Sequence, residues 1–516
     1  MKSDLSGKLL IIRADADVSI GTGHVMRCLA LAQAWQERGG RVIFSGRIES
    51  DKLRQRLSSQ GFSVVGLGSG RPDDPDADGL SALRELYGND HEPWLVLDGY
   101  RFSAEYQQRL RDSGLKLLVL DDYVHLPAYQ ADILLNQNIG SDRLAYTIPA
   151  ESVLMLGSAY VLLRREFRGV RSQLKNGVAP RAGRILVTMG GADPDNVTLK
   201  VIEALKLAEL PGLEAKIIVG PANQHLEELQ KSLGQASFAG EILCAVEDMV
   251  PVMHWADVAI SAGGGTCWEL ACLGVPALVI TLAANQLGVA KGMAEACAGV
   301  DCGWADSLTP ERLAGLLEDL CGDVVRRLAM QKAGRALVDG QGAARVVERM
   351  AFFPFSFRPA GPEDCRPLFE LANDPVVRNA SFKREKIGWE EHRQWFSRRM
   401  QDKNCLFWIP LVRGDQAAGQ VRFDIAGDEA VISASLATEY RNAGLGSRMI
   451  NLACRKLYTI RKLNRIKALV IKENVQSLKA FGRAGFKVMR EDTVKGLPTV
   501  VMTFEDYLDE PVSAHT

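Results

Sequence analysis

Two apolar runs constrain the fold of this chain more than any other feature. Each closes on a glycine-rich loop that leads into a helix. The first is Leu9-Leu-Ile-Ile12, followed by Ile20-Gly-Thr-Gly-His24 and by helical spacing over residues 25–37 (Val25, Leu29, Ala32, Trp35). The second ends at Ile260 and continues as Ser261-Ala-Gly-Gly-Gly-Thr-Cys-Trp-Glu269, with helical spacing resuming at Trp268. A strand–glycine loop–helix unit opens a parallel βα repeat, and the first N–H groups of its helix have no internal partners and favour an anion.

The alternation continues around both loops. Apolar runs at 9–12, 42–44, 95–97, 117–120 and 133–135 read as parallel strands buried on both faces, with helices between them such as 50–59 and 104–112. Residues 68–79, containing Arg71-Pro-Asp-Asp-Pro-Asp, read as a loop. A second set starts near Arg184: strand 185–189, the loop Gly190-Gly-Ala-Asp-Pro, a helix, then strands 216–219, 258–261 and 277–280. Two such sets predict two doubly wound, Rossmann-like α/β domains, 1–170 and 171–350, with a cleft between them and a connection over 164–180. After residue 351 the pattern changes. Helices precede antiparallel-looking strands at 407–412, 418–424 and 430–436, which predicts a separate α+β domain over 351–508 and a tail at 509–516.

Composition sets the outer limits. The 516 residues suit about three domains. A net charge of −1 advertises no nucleic-acid surface. The ten cysteines form no C-x-x-C pair. The Cys267/Cys272 and Cys297/Cys302 spacings suit helix or loop positions, so buried free thiols in a reducing cytosol are expected and no metal. The first apolar run is too short for a signal peptide and no stretch approaches a membrane span, so a cytoplasmic protein is expected.

Several side chains stand where chemistry is done. His24 follows Gly21 and Gly23 directly; a histidine beside a bound phosphate can exchange a proton near neutral pH, whereas the bland alternative is a surface histidine after a tight turn. Glu269 lies about one turn into the helix behind Gly263, Gly264, Gly265 and Thr266, where a carboxylate can accept both hydroxyls of a ribose. Asn285-Gln286 follows the next strand at its C-terminal end, where open α/β sheets bind ligands. In the third domain, Arg441, Gly444 and Gly446 form Arg-x-x-Gly-x-Gly. The N–H groups from Asn442 through Leu445 to Ser447 can wrap a pyrophosphate, and helix 447–457 adds its positive end.

With these motifs in place, residues 8–350 resemble the GT-B type nucleotide-sugar proteins. More closely they resemble the UDP-2,4-diacetamido-2,4,6-trideoxy-β-L-altropyranose hydrolases of pseudaminic acid biosynthesis. The resemblance rests on Arg13-Ala-Asp15, Ile20-Gly-Thr-Gly-His24, Arg27, Leu97-Asp-Gly-Tyr100, Met189-Gly-Gly-Ala-Asp-Pro with Gly190 and Gly191, Ser261 to Glu269, and Asn285-Gln286. It implies hydrolysis at C1 of a UDP-linked amino sugar, with His24 as base and Tyr100 and Asn285 close to the sugar. Either Asp15 or Asp98 orients His24 or binds sugar hydroxyls.

Residues 356–506 resemble the GNAT acetyltransferases, through the Arg441 loop and Asn474-x-x-Ser477-x-x-x-Phe481-x-x-x-Gly-Phe486. This implies acetyl-CoA as co-substrate, with the loop on its pyrophosphate and Asn474 near the pantetheine arm. Phe357-Arg-Pro-Ala, Leu371 to Arg378, and Glu391-His392-Arg-Gln-Trp395 are similar to the UDP-4-amino-4,6-dideoxy-N-acetyl-β-L-altrosamine N-acetyltransferases. In that role Arg378, His392 and Trp395 would touch the sugar nucleotide; otherwise they make a salt bridge and helix packing. Phe481 stands where many GNAT enzymes have a proton-donating tyrosine, which leaves Tyr440, Tyr458, Tyr507 or water. The expected protein is a bifunctional enzyme. The competing readings are a GT-B glycosyltransferase fused to an unrelated acetyltransferase and a non-catalytic nucleotide-sugar-binding protein.

Overall fold

The computed structural model describes the chain except for residues 1–4, 18–19, 67–82, 84–85, 87–92, 150–151, 172–173, 175–176, 221, 245, 354, 413–415, 442–444 and 505–516. The chain divides between Val347 and Glu348 into two compact units.

The N-terminal unit holds two parallel sheets. The first comprises β1 (Leu9–Ala14), β2 (Arg41–Ser45), β3 (Ser63–Val65), β4 (Trp94–Asp98), β5 (Lys116–Leu120), β6 (Ile133–Asn136) and β7 (Val153–Leu156), in the order β3-β2-β1-β4-β5-β6-β7. The second comprises β8 (Arg184–Thr188), β9 (Glu214–Val219), β10 (Ala239–Cys244), β11 (Val258–Ala262), β12 (Ala277–Thr281) and β13 (Gly299–Trp304), in the order β10-β9-β8-β11-β12-β13. Strands β1, β4, β6, β11 and β12 are buried at every position, as helices on both faces require. In the second sheet the alternation divides the core. Ile185 and Val187 pack with Val201 and Leu317 on one face, and Leu186 packs with Trp268 and Met293 on the other. Strand order reverses direction between β1 and β4 and again between β8 and β11. These are the switch points at which doubly wound sheets open a crevice at the strands' C-terminal ends.

The C-terminal unit is one mixed sheet: β14 (Phe355–Pro359), β15 (Cys405–Val412), β16 (Gln416–Ala417), β17 (Gly419–Ala426), β18 (Glu429–Leu436), β19 (Arg465–Ile471), β20 (Lys487–Val494) and β21 (Leu497–Phe504). The order is β14-β15-β17-β18-β19-β21-β20, with β16 paired to β15. Neighbours are antiparallel except β18 and β19, which run parallel only from Glu429↔Arg465 to Ile432↔Ala468. Beyond that register β18 continues along β17 to Leu436 and β19 continues along β21 to Ile471, so the sheet splays open between them. Helix Leu445–Ile460 buries Leu445, Met449, Ile450, Ala453 and Leu457 against the sheet.

The fold is therefore α/β, two Rossmann-like parallel sheets of GT-B type followed by a GNAT-type mixed sheet. Strands β3, β7, β10, β13, β14, β20 and β21 exceed what the apolar runs marked. The edge strands β10 and β20 are mostly exposed; β20 carries no apolar run longer than Val488-Met489, and β10 only Ile242-Leu-Cys244 at its end. The loop expected at 68–79 and the tail expected at 509–516 lie outside the described residues.

Candidate functional site

Four strands of the first sheet deliver charged and polar side chains to one crevice. After β1 the chain turns at Gly21, whose φ of +76° suits glycine, and enters helix Gly23–Gln36. His24 and Arg27, three residues apart, share one face of that helix. Asp98 is the last residue of β4 and is buried. Its Oδ1 meets His24 Nδ1 at 2.6 Å and accepts from Arg27 Nη2 at 2.6 Å, and its Oδ2 accepts from Arg27 Nε at 2.6 Å. Arg27 Nη1 also donates to Asp122 Oδ1 at 2.8 Å. Tyr100 donates its hydroxyl to Asp122 Oδ2 at 2.6 Å, and Asn138 Nδ2 donates to Asp122 Oδ1 at 3.0 Å.

The electrostatics follow from these contacts. Burial pushes the Asp98 carboxyl up, but Arg27 and then His24 outweigh it and hold the group well below the usual carboxylate range. Asp98 is ionised at neutral pH and accepts a proton-bearing Nδ1 from His24. That tautomer leaves the His24 Nε2 lone pair free to act as a base. Burial, then Asp122, raises the Tyr100 phenol, so Tyr100 is a donor and not a base. Of Asp15 and Asp98, it is Asp98 that contacts His24. Asp15 instead accepts from the backbone N–H of Arg47 at 2.8 Å and pairs with Arg101, bracing the loop after β1. Arg13 is buried with its guanidinium over Phe102 and Tyr106, at 5.2 and 4.9 Å from the ring centroids.

The second sheet faces the same crevice. Asn285 Nδ2 donates to the Tyr100 hydroxyl at 3.4 Å. Gly191 approaches the first glycine loop: a Cβ there would stand 3.7 Å from Thr22 Oγ1. Gly190 holds φ +90°, and Asp193 accepts from the backbone of Val197 and Thr198 at the next helix. Gly263 is tight, because a Cβ would lie 3.1 Å from the Gln286 backbone oxygen and its neighbours would have to give, whereas among the described residues nothing crowds Gly264 and Gly265. Thr266 begins helix Thr266–Leu273. Gln286 Oε1 is occupied by the Leu282 N–H at 2.9 Å, so this side chain braces its own loop. Glu269 Oε1 accepts from Arg164 Nη2 at 2.7 Å. Burial raises the Glu269 carboxyl, opposed by Arg164.

The crevice contains residues the sequence reading passed over: Asp121, Asp122, His125 and Asn138. Asp121 and Asp122 directly follow β5, the strand beside β4, so the strand-end rule that pointed to Asn285 would also have found them.

In the C-terminal unit the splay between β18 and β19 lies beside the start of helix Leu445–Ile460, where Leu445, Gly446 and Ser447 present the helix N-terminus. Among the described residues a Cβ at Gly446 would meet only Leu436 Cδ1, at 3.7 Å. This arrangement fits a pyrophosphate against backbone N–H groups. Asn442 and Gly444 lie outside the described residues. Arg441 donates from Nε to the Leu436 carbonyl at 2.9 Å and pairs with Asp374 at 3.0 Å, anchoring the loop to the end of β18. Asn474 Oδ1 caps helix Val475–Arg483 by accepting from Ser477 N at 3.0 Å. Arg378 donates to the carbonyls of Lys383 and Glu385 and to Ser381 Oγ, which ties down the loop behind its helix. His392 is 2% exposed and packed among Phe369, Trp395 and Phe396, and burial lowers its imidazole. Its contacts are those of a packing residue. Trp395 is half-buried under the Arg422 guanidinium. Phe481 is buried against Phe486. Among the alternative donors, Tyr458 gives its hydroxyl proton to the Phe504 carbonyl at 3.0 Å, and Tyr507 lies outside the described residues. Among the described residues no group of three or more His, Cys, Asp or Glu could hold a metal, and no helix is long and apolar enough to cross a membrane.

Comparison with known proteins agrees with this division. Residues 184–347 match the glycosyltransferase family 28 C-terminal domain, and residues 355–487 match the acetyltransferase (GNAT) domain. The chain is an enzyme in which a GT-B-like nucleotide-sugar domain is fused to a GNAT acetyltransferase. An uncharacterized protein of Methanocaldococcus jannaschii is 24% identical over 505 residues, 93% of this chain and 96% of that protein. The UDP-2,4-diacetamido-2,4,6-trideoxy-beta-L-altropyranose hydrolase of Campylobacter jejuni is 24% identical over 225 residues, 43% of this chain and 73% of that enzyme. The UDP-N-acetylglucosamine--N-acetylmuramyl-(pentapeptide) pyrophosphoryl-undecaprenol N-acetylglucosamine transferase of Bordetella pertussis is 30% identical over 343 residues, 61% of this chain and 89% of that enzyme. By that likeness the chain belongs to this glycosyltransferase's family.

Proposed function

We propose that the N-terminal unit hydrolyses a UDP-linked diacetamido-trideoxy sugar at C1, releasing UDP, and that the C-terminal unit makes this substrate by acetylating the 4-amine of a UDP-amino sugar with acetyl-CoA. The observation that carries the first half is the His24–Asp98 pair at the switch point, with Gly191 and Asn285 of the second sheet reaching Thr22 and Tyr100 beside it. His24 Nε2 removes a proton from water, the water oxygen bonds to C1, and the C1–O bond to UDP breaks. Asp98 stabilises the imidazolium that forms. Backbone N–H groups of the glycine loops receive the charge on the departing diphosphate. Tyr100 and Asn285 hold the sugar, and Glu269 the ribose. The likeness to the Campylobacter jejuni hydrolase supports this substrate class.

In the C-terminal unit the amine nitrogen bonds to the thioester carbonyl carbon and the C–S bond breaks; the nitrogen gives up one proton to water, and the thiolate takes one from water or from Tyr440, which water then reprotonates. The splayed strands and the Gly446 helix start support this half, as does the matched GNAT domain.

A second reading is favoured by the Bordetella pertussis relative: a glycosyltransferase, in which His24 activates an acceptor hydroxyl instead of water. One assay separates the two. The protein is incubated with acetyl-CoA and the 4-amino UDP-sugar, and free thiol and free UDP are followed separately. The hydrolase reading expects thiol first and UDP afterwards with no acceptor added; UDP release that waits for an acceptor would favour the transferase.

A further inference from the structure

Tyr100 is flanked by two histidine–carboxylate pairs, and the mechanism above uses one of them. On one side the His24 ring meets the Tyr100 ring edge-on, with centroids 5.3 Å apart and planes at 81°. On the other side stands His125, also 5.3 Å away, with planes at 68°. His125 Nδ1 bonds to Asp121 Oδ1. Asp121 is fixed in turn: the hydroxyl of Tyr129 donates to Oδ1 at 2.8 Å, that of Tyr146 donates to Oδ2 at 2.6 Å, and the Val124 N–H donates to Oδ2 at 2.6 Å. Burial pushes the Asp121 carboxyl up, but the hydrogen bonds from His125, Tyr146, Val124 and Tyr129 hold it below the usual range. The second pair is therefore as rigidly anchored as the first.

What differs is access. The His125 side chain is 7% exposed, and among the described residues its Nε2 is buried without a hydrogen-bond partner. Its surroundings are aromatic: Tyr100, Tyr123 at 6.1 Å and Tyr129 at 5.6 Å between centroids. A ring so enclosed and anchored fixes the ring beside it. Tyr100 sits in the loop after β4, where its hydroxyl is tied at the far end to Asp122. The two imidazoles and the Tyr123 ring, 5.1 Å away between centroids, set the lateral position of its ring; of these, only His125 is both enclosed and anchored by a buried carboxylate away from the reacting base.

We infer that His125 is a positioning residue: anchored by Asp121, it holds the Tyr100 ring against His24 and so sets the geometry in which the substrate sugar meets the base. The inference rests on the hydrolase reading of this crevice.

The test is a double-mutant cycle on the full chain, measuring UDP release from the diacetamido UDP-sugar. His125→Ala is expected to lower kcat by about 10–100-fold, the scale on which small misplacements act, with KM changed less than about threefold. In a Tyr100→Ala background the same change is expected to have no further effect, since the residue it acts through is gone. His125→Phe keeps a ring against Tyr100 and is expected to recover part of the loss. It also carries the cycle if His125→Ala does not fold. Additive losses, or His125→Ala at the wild-type rate, would overturn the inference. A second readout separates its failure from that of the hydrolase reading. With 13C-labelled tyrosine, the ring signal assigned to Tyr100 through Tyr100→Phe is expected to shift in His125→Ala. If the wild-type chain releases no UDP, the hydrolase reading fails and this signal decides the positioning role alone. An unmoved Tyr100 signal rejects that role whatever the activity.

Discussion

The two candidate sites are made of opposite materials. In the N-terminal unit the site is a set of side chains that satisfy one another: His24, Arg27, Asp98, Tyr100, Asp122 and Asn138 form one hydrogen-bonded group at the ends of four parallel strands. In the C-terminal unit the site is backbone, a splayed sheet and a helix N-terminus. The side chains that looked functional there hold that backbone in place: Arg441 on the Leu436 carbonyl, Asn474 on Ser477 N, Arg378 on the carbonyls of Lys383 and Glu385. A side-chain site fails when one group is removed. A backbone site tolerates the loss of single groups and fails when its space or charge is altered.

The largest expected effect sharpens that contrast. His24→Ala should slow UDP release by about 10²–10⁴-fold, the usual cost of losing a general base, and leave acetyl transfer unchanged; steady-state rates of both products check it. Its mirror is Gly446→Asp, which puts a negative charge where the diphosphate of acetyl-CoA would lie. The acetyl-CoA KM should rise by about tenfold or more, with UDP release from a pre-acetylated sugar unaffected. Equal damage to both activities by either variant would break the comparison.

Acid should also act more strongly on the side-chain site. The folded Asp98 carboxyl lies below its unfolded value, so its contribution to stability is complete above about pH 4 and is lost as pH falls through the folded value. Urea unfolding from neutral pH downward should show a steeper loss for the wild type than for Asp98→Asn, which has no proton to gain. Equal slopes would mean that Asp98 is not held ionised.

The smallest effect concerns Asn474. As a cap its loss in Asn474→Ala should cost about 1 kcal/mol, seen as a lower Tm of the C-terminal unit with the acetyl-CoA KM nearly unchanged. A large KM change at constant Tm would return Asn474 to the cofactor.

Much of this was legible in the sequence because parallel strands and glycine loops leave strong marks. The runs at 9–12, 95–97 and 258–261 lie in β1, β4 and β11, and helix Ala104–Asp112 has the expected bounds. His24 reached the crevice for the reason first given, its place after Gly21 and Gly23. The edge strands were illegible because exposed strands such as β20 need no apolar run. Asp122 and His125 were missed because the loop between β5 and β6 carries no glycine signature; the strand-end rule applied after 117–120 reaches Asp122, but the pairing of β5 with β4 is what brings both to Tyr100. His392 shows the limit in the other direction: a histidine amid aromatic neighbours on a helix reads alike as ligand or as core, and in the structure it is buried among those neighbours.

The central claim is that His24 directs water to C1 of the sugar. The most direct measurement is hydrolysis of the diacetamido UDP-sugar in H₂¹⁸O without any acceptor, with mass analysis of both products. The account predicts one ¹⁸O in the released sugar and none in UDP, and loss of this reaction in His24→Ala. Label in the UDP phosphate, or no UDP release until an acceptor is supplied, would contradict it.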